Sequence, residues 1–279
     1  MSQYLANDIP VIGDDADVTK FLQEAKTRGM GMGMKPRDYT KHPEGCFSFA
    51  EPFPDSLLIP MGDLEGRLKE QQEKKASLLD FRAADYAILK SLYQNGFGLC
   101  WQFSGVKAMM YCRAIANLPG VRLSAYWAAG QVKRWADQGG WGSEGLQQLV
   151  EKGAPEEKFC PEYKRQYDTP EARENALKYR VTEWWEGSSN KEKATHQMVT
   201  AMILGLPCIA DFNHMSHSMC VPHLERIAVS GSTITTIRTA ADNSWGESSG
   251  DRGLYALDGY KAKPDGLWIP RVALPGGPA

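Results

Sequence analysis

Apolar positions recur every three to four residues after Cys100, at Phe103, Val106, Met110 and Ala114 with Met109 and Cys112 beside them. This spacing predicts a largely buried helix. A second helical pattern starts near Ser143 and runs through Leu146, Leu149 and Val150 to a stop at Gly153, and a third covers Glu192 to Leu204. Upstream, one helix is predicted from Val18 to Thr27, ended by Gly29. The stretch between Gly66 and Ala76 is strongly helix-forming but almost wholly polar, so it is expected on the surface with a solvated charged face. The period then changes. Val221 to Val229 and Thr233 to Thr239 are rich in β-branched residues and separated by Ser230-Gly231-Ser232, which predicts a hairpin. Helices first and antiparallel strands later predict an α+β protein of two lobes. Gly29-Met30-Gly31-Met32-Gly33-Met34 reads as a flexible connector, because no strand precedes it and its spacing is not that of a phosphate loop.

Charge and composition narrow the picture. With 32 basic against 34 acidic residues among 279, the net charge of −2 gives no cause to expect nucleic acid or an anionic membrane as a partner. The first residues lack a basic stretch followed by an apolar one, and no run of about 18 apolar residues occurs, so a soluble chain without a secretory signal is expected. Cysteines 46, 100, 112, 160, 208 and 220 form no CxxC and no dense framework. They read as reduced thiols, in the cytoplasm or another reducing compartment.

Chemistry concentrates in two strings. Gln94-Asn95-Gly96-Phe97-Gly98-Leu99-Cys100-Trp101 puts a cysteine at a glycine-rich approach to a helix start, where the helix N-terminus and a nearby imidazolium lower a thiol pKa. The other cysteines lack that setting and read as structural. Asn243-Ser244-Trp245-Gly246 supplies an amide beside an indole. Five histidines could serve the thiol: His42, His196, His214, His217 and His223. If the hairpin turns on Ser230-Gly231, the partner of Asn243 falls near residue 218, which selects His217. His223 would face residue 238 and reads as a half-exposed strand histidine. Asn243 can then fix the tautomer and orientation of His217. The recurrence of His214, His217, Cys220 and His223 every three residues has zinc-binding residue types. In a strand, however, that period alternates faces and spreads the ends about 30 Å apart, so no metal, and no other cofactor, is expected. The Gln94 amide, with the backbone N–H of Cys100, could hold an oxyanion.

These residues, in the order Gln, Cys, His, Asn, resemble the papain-like cysteine peptidase family. Asp80-Phe81-Arg82 resembles the Asp-Trp-Arg at the start of the mature enzymes, and Cys100-Trp101-Gln102-Phe103-Ser104 resembles their Cys-Trp-Ala-Phe-Ser. Gly139-Gly140 sits where the family has a Gly-Gly that pairs with extended substrate, and Asn243-Ser244-Trp245-Gly246 followed by Gly250 and Gly253 resembles its Asn-Ser-Trp-Gly pattern. The resemblance covers roughly Asp80 to Leu257. It implies a papain-like two-lobe fold with a helical lobe and a trimmed antiparallel β lobe, divided as an N-terminal extension 1–75, a peptidase domain 76–258 and a C-terminal tail 259–279. It also implies catalytic roles for Cys100, His217, Asn243 and Gln94, and substrate contacts at Gly98, Gly139, Gly140, Trp245 and Ser218, with Trp245 shielding the Asn–His bond. Departures are clear: Phe97-Gly98-Leu99-Cys100 stands where the family has Cys-Gly-Ser-Cys, so the family's disulfide partner is absent, Gln102 replaces a small residue, and Ser249 replaces a second tryptophan.

The expected activity is thiol-dependent hydrolysis of a polypeptide substrate. Two alternatives stay open: an inactive papain-fold structural protein, such as a phage virion component that binds protein neighbours through residues 1–75 and 259–279, or an amidase or acyltransferase on cell-wall peptides. Pro52, Pro54 and Pro60 favour an extended run that lays Phe47 to Pro60 on or beside the cleft of Cys100, Gly140 and His217, as an internal inhibitor or propeptide; the alternative is a segment packed on the back of the helical lobe or held by a neighbouring subunit.

Overall fold

A computed structural model describes residues 5–6 and 8–273. In chain order the elements are β1 (Val11–Ile12), α1 (Asp15–Thr27), β2 (Ala50–Pro52), α2 (Leu64–Glu73), α3 (Leu78–Ala84), α4 (Tyr86–Leu89) and α5 (Cys100–Ile115). Then come α6 (Ala125–Lys133), α7 (Gly142–Glu151), α8 (Pro170–Ala176), β3 (Val181–Glu186), α9 (Lys191–Ile203), β4 (Cys208–Phe212), β5 (His217–Ser230), β6 (Thr233–Asp242), β7 (Leu254–Asp258) and β8 (Gly266–Ala273). The strands form one mixed sheet of eight in the order β1-β7-β6-β5-β4-β8-β3-β2. Among the described residues no helix is long and apolar enough to cross a membrane.

The sheet separates two apolar cores. On one face lie α5, α6 and α7, with Trp184, Ile209, Cys220 and Trp268 from the strands. The other face carries α1, α2 and α9 against Phe212, Met219, Val221 and Trp245. Every residue of α5 from Cys100 to Arg113 is buried, which explains why its apolar pattern is broad rather than one-sided. The predicted hairpin forms: Leu224 pairs with Thr239 and Cys220 with Asp242, so Asn243 lies beside His217 as the register argument required.

Four expectations are corrected. His223 is buried, not half-exposed, because Ser77 ahead of α3 covers it and its Nδ1 lies 2.7 Å from the Ser77 hydroxyl. The polar helix begins at Leu64 and buries Leu64, Leu68 and Gln71, so its solvated face is only one side. The stretch expected to be a C-terminal tail contains β8, an inner strand between β4 and β3. The run from Phe47 to Pro60 lies over β3 rather than on the nucleophile: β2 pairs in parallel with Trp184 to Glu186, and Phe53 N donates to Glu186 O at 3.0 Å. Only Phe47 approaches the cleft rim, with its ring 6.2 Å from Trp141.

Candidate active site

Cys100 is the first residue of α5, and the residue before it, Leu99, provides no side-chain cap. Gln102 and Phe103 N–H donate to Leu99 O, while the Trp101 N–H faces the sulfur and, with the helix dipole, favours negative charge there. From the opposite side, β5 and β6 bring His217 and Asn243 together, with His217 Nε2 2.8 Å from Asn243 Oδ1. Among the described residues His217 Nδ1 has no hydrogen-bond partner. It is the nitrogen left for proton exchange. Trp245 covers the pair, its ring 5.2 Å from His217, and Phe21 of α1 stacks on that indole at 4.5 Å. Water is thereby excluded from the His–Asn bond, and the N-terminal segment supplies part of the cover.

Gln94 is buried and held at both ends. Its backbone N donates to Ser244 O at 2.9 Å, and its side-chain Oε1 accepts from the Ser244 hydroxyl. Its Nε2 donates to Gly31 O at 2.7 Å and also to Phe97 O. The acceptor at Gly31 belongs to the glycine-methionine run, which is not a loose connector. It crosses the cleft as an extended strap: Gly140 N donates to Gly33 O at 2.9 Å and Lys35 N to Gly140 O at 3.1 Å, a parallel pairing of Met34 with Gly140.

The alternation has a steric cause. A Cβ on Gly31 would fall 2.3 Å from the Phe97 carbonyl carbon, and one on Gly33 would fall 1.7 Å from Gly98 O. Only glycine fits against this loop. Met30 and Met32 alternate with these glycines and pack on the core beside α1, while Met34 is itself buried. Gly98 N donates to Asp137 Oδ1 at 2.9 Å, which fixes the loop the strap rests on.

With the strap in place, burial pushes the Cys100 thiol up, against the backbone amides of Ser218, Gly33, Met34 and Trp101 that favour its ionised form. Burial likewise pushes His217 down to about 4, opposed by the Asn243 bond. The covered pair is therefore a neutral thiol and a neutral imidazole, not the thiolate–imidazolium pair expected for a working nucleophile.

No protein-family model matches the chain, and no curated protein sequence does. Solved structures match. Xylellain, a cysteine protease from Xylella fastidiosa, aligns over 88% of this chain and 97% of that one, with TM-score 0.58 and 13% identity. The fold is papain-like. Procathepsin L 3 from the larval midgut of Tenebrio molitor gives TM-score 0.57 at 13% identity, over 92% of this chain and 90% of that one. A structure concerning the mite allergens Blo t 1 and Der p 1 gives 0.57 at 12%, over 91% and 90%.

On this papain-like fold His217 is bonded to Asn243, Gln94 to the adjoining Ser244, and the backbone N–H of Ser218, next to His217, faces the Cys100 sulfur, while Gly140 carries an extended chain. Ser218 faces away from His217, toward α5, with its hydroxyl 2.9 Å from that of Ser104. Gly139 lies beneath the strap, where a Cβ would come 2.3 Å from Gly33 O. Sequence reading missed the strap, Phe21 and a carboxyl near Cys100, Asp211, which burial pushes well above the usual carboxylate range. The strap did leave a signal, a glycine at every second position.

Proposed function

We propose that this chain is a thiol peptidase whose own N-terminal segment covers its cleft. The observation that carries the reading is the 2.8 Å bond between His217 and Asn243, which leaves Nδ1 unbonded in the cleft that also holds Cys100 and the Gln94 amide. When the strap lifts, water returns and the burial that holds both groups neutral is relieved. Cys100 Sγ then passes its proton to His217 Nδ1 and attacks the substrate carbonyl carbon. The oxyanion takes hydrogen bonds from Gln94 Nε2 and the backbone N–H of Cys100. His217 returns the proton to the departing amine, leaving a thioester. A water molecule, deprotonated by His217, then releases the carboxylic acid and restores the thiol.

Intact-mass analysis after an epoxysuccinyl thiol inhibitor tests this. One adduct on Cys100 is expected, formed slowly in the full chain, faster in Gly33→Ala, whose strap no longer fits, and absent in Cys100→Ala. Labelling together with hydrolysis of a fluorogenic peptide by Gly33→Ala supports the reading. Absence of labelling in a folded Gly33→Ala chain points to a structural protein, and labelling without peptide hydrolysis points to an amidase or acyltransferase.

A further inference from the structure

Arg37, just beyond the strap's contact with Gly140, is a long cationic side chain buried in an ion pair. Its guanidinium meets the carboxylate of Glu186, and the two side chains are only 3% and 2% exposed. Arg37 also donates to His42 O at 2.8 Å and Pro43 O at 2.6 Å, and Gly45 N donates to the second Glu186 oxygen at 2.6 Å. The rings of Tyr39 and Phe47 lie against the guanidinium at 4.6 and 5.2 Å. Every one of these additional partners belongs to residues 39–47, the continuation of the strap.

The register of the sheet adds a second carboxyl. Glu186 pairs with Trp268, and Trp268 with Ile209. One pleat further along the same face, Gly266 pairs with Asp211, and Asp211 with Ser218. Directly paired residues, and those two apart, share a face, so Glu186 and Asp211 both project toward α5 and the cleft. Between them Gly266 has no side chain, and the Trp268 indole leans over it: a Cβ there would lie 2.6 Å from the ring. Asp211 is buried, which pushes its carboxyl well above the usual range and keeps it protonated under the strap, against the Ser218 hydroxyl and the charge of Arg37; its Oδ1 has no hydrogen-bond partner among the described residues, and Cys100 lies near it. Asp265 faces Asp211 too but is matched by Lys191 at 2.7 Å, and Glu44, which faces Tyr39, is bonded to the Ser189 amide.

We infer that Glu186 and Asp211, with the Trp268 indole between them, form an acidic recess beside Cys100 that selects a cationic side chain of the polypeptide bound in the cleft, Arg37 being its occupant in the covered state. Lifting the strap removes the counter-charge of Glu186 and every donor from residues 37–45, relieves the burial that keeps Asp211 protonated, and leaves two carboxyl groups free to ionise beside an aromatic face. A lysine or arginine side chain restores what both have lost, whereas an aliphatic one of equal length restores neither.

The inference rests on the peptidase reading, and the test separates the two. Full-length Gly33→Ala/Cys100→Ala binds without cutting. Fluorescein-labelled hexapeptides carrying one lysine, or norleucine in its place, are titrated onto it by anisotropy, with Arg37→Ala/Cys100→Ala as a second opened chain. Tighter binding of the lysine peptide by about tenfold to a hundredfold is expected, the gap shrinking in Asp211→Asn and Glu186→Gln chains that melt as the parent does. Equal binding, tighter binding of norleucine, a gap that survives both substitutions, or no binding by either opened chain overturns it. Lysine preference in binding with no hydrolysis by Gly33→Ala would end the peptidase reading and leave the recess standing. Hydrolysis without lysine preference would do the reverse.

Discussion

Arg37–Glu186 and Lys107–Asp242 are both sealed from water, yet the first joins a crossing segment to the sheet and the second lies wholly inside the fold. Lys107, on α5, is 3.3 Å from Asp242 Oδ2 and donates to Lys90 O at 2.9 Å, while Ser91 Oγ donates to Asp242 Oδ1 at 2.6 Å and Arg82 Nε approaches Asp242 at 3.9 Å. Burial pulls Lys107 down to about 8 although Asp242 pushes it up. Asp242 immediately precedes Asn243, so this assembly fixes the strand end that aims the amide at His217. A buried pair within one body can be broken only by damaging that body; a pair between a body and a strap can be broken by letting the strap go.

The sharpest way to break the comparison is Asp242→Ala. It leaves Lys107 and Arg82 as buried like charges, and a loss of about 3–5 kcal/mol in denaturant unfolding is expected. A loss as small as that of a surface substitution would mean the internal assembly is no more costly to break than the strap's.

Arg37→Ala should act elsewhere. Freeing the strap at about 3 kcal/mol corresponds to an increase of about a hundredfold in the inhibitor-labelling rate of Cys100, with the melting transition of the body moved far less. Unchanged labelling would show that Arg37 does not hold the cover.

pH sharpens the contrast. His217 binds its proton with a pKa near 4 when folded and 6.5 when unfolded, so between those values the unfolded chain holds more protons. The His217 contribution to stability should therefore be full above pH 6.5 and fall as pH drops toward 4, by about 3.5 kcal/mol at ~1.4 kcal/mol per unit. His217→Asn should flatten this part of the stability profile, and Arg37→Ala, by readmitting water, should reduce its slope.

The smallest expected effect is that of Ser91→Ala, which removes one donor to Asp242 and costs about 1 kcal/mol with no change in labelling. Faster labelling in that variant would tie the internal assembly to the cover.

The candidate site was legible where chemistry and period coincide. The helix starting at Cys100 declared itself by spacing, and hairpin arithmetic chose His217 over His223 because antiparallel pairing is set by the turn. The strap left its glycine alternation in the sequence but could not be placed from it, because the reason for the alternation, the approach to Phe97 and Gly98, is long-range. Strand β8 hid behind Pro270, which argues against an inner strand until the pairing of its neighbours is known. Asp211 sits in an apolar run, Cys208-Ile209-Ala210-Asp211-Phe212, where one acid reads as a strand's solvent-facing position; only the register turns it toward the cleft. The burial of His223 depends on Ser77, 146 residues away in sequence.

The polarity of the strap bears on how the protein survives its own company. Because Met34 pairs with Gly140 in parallel, what meets the Cys100 sulfur is the amide hydrogens of Gly33 and Met34, while the carbonyl that reaches Gln94 is that of Gly31. Nucleophile and oxyanion donor never address the same peptide group. A peptide laid across the cleft in this direction offers no single carbonyl to both groups, so on the proposed peptidase reading the strap is gripped without being cut.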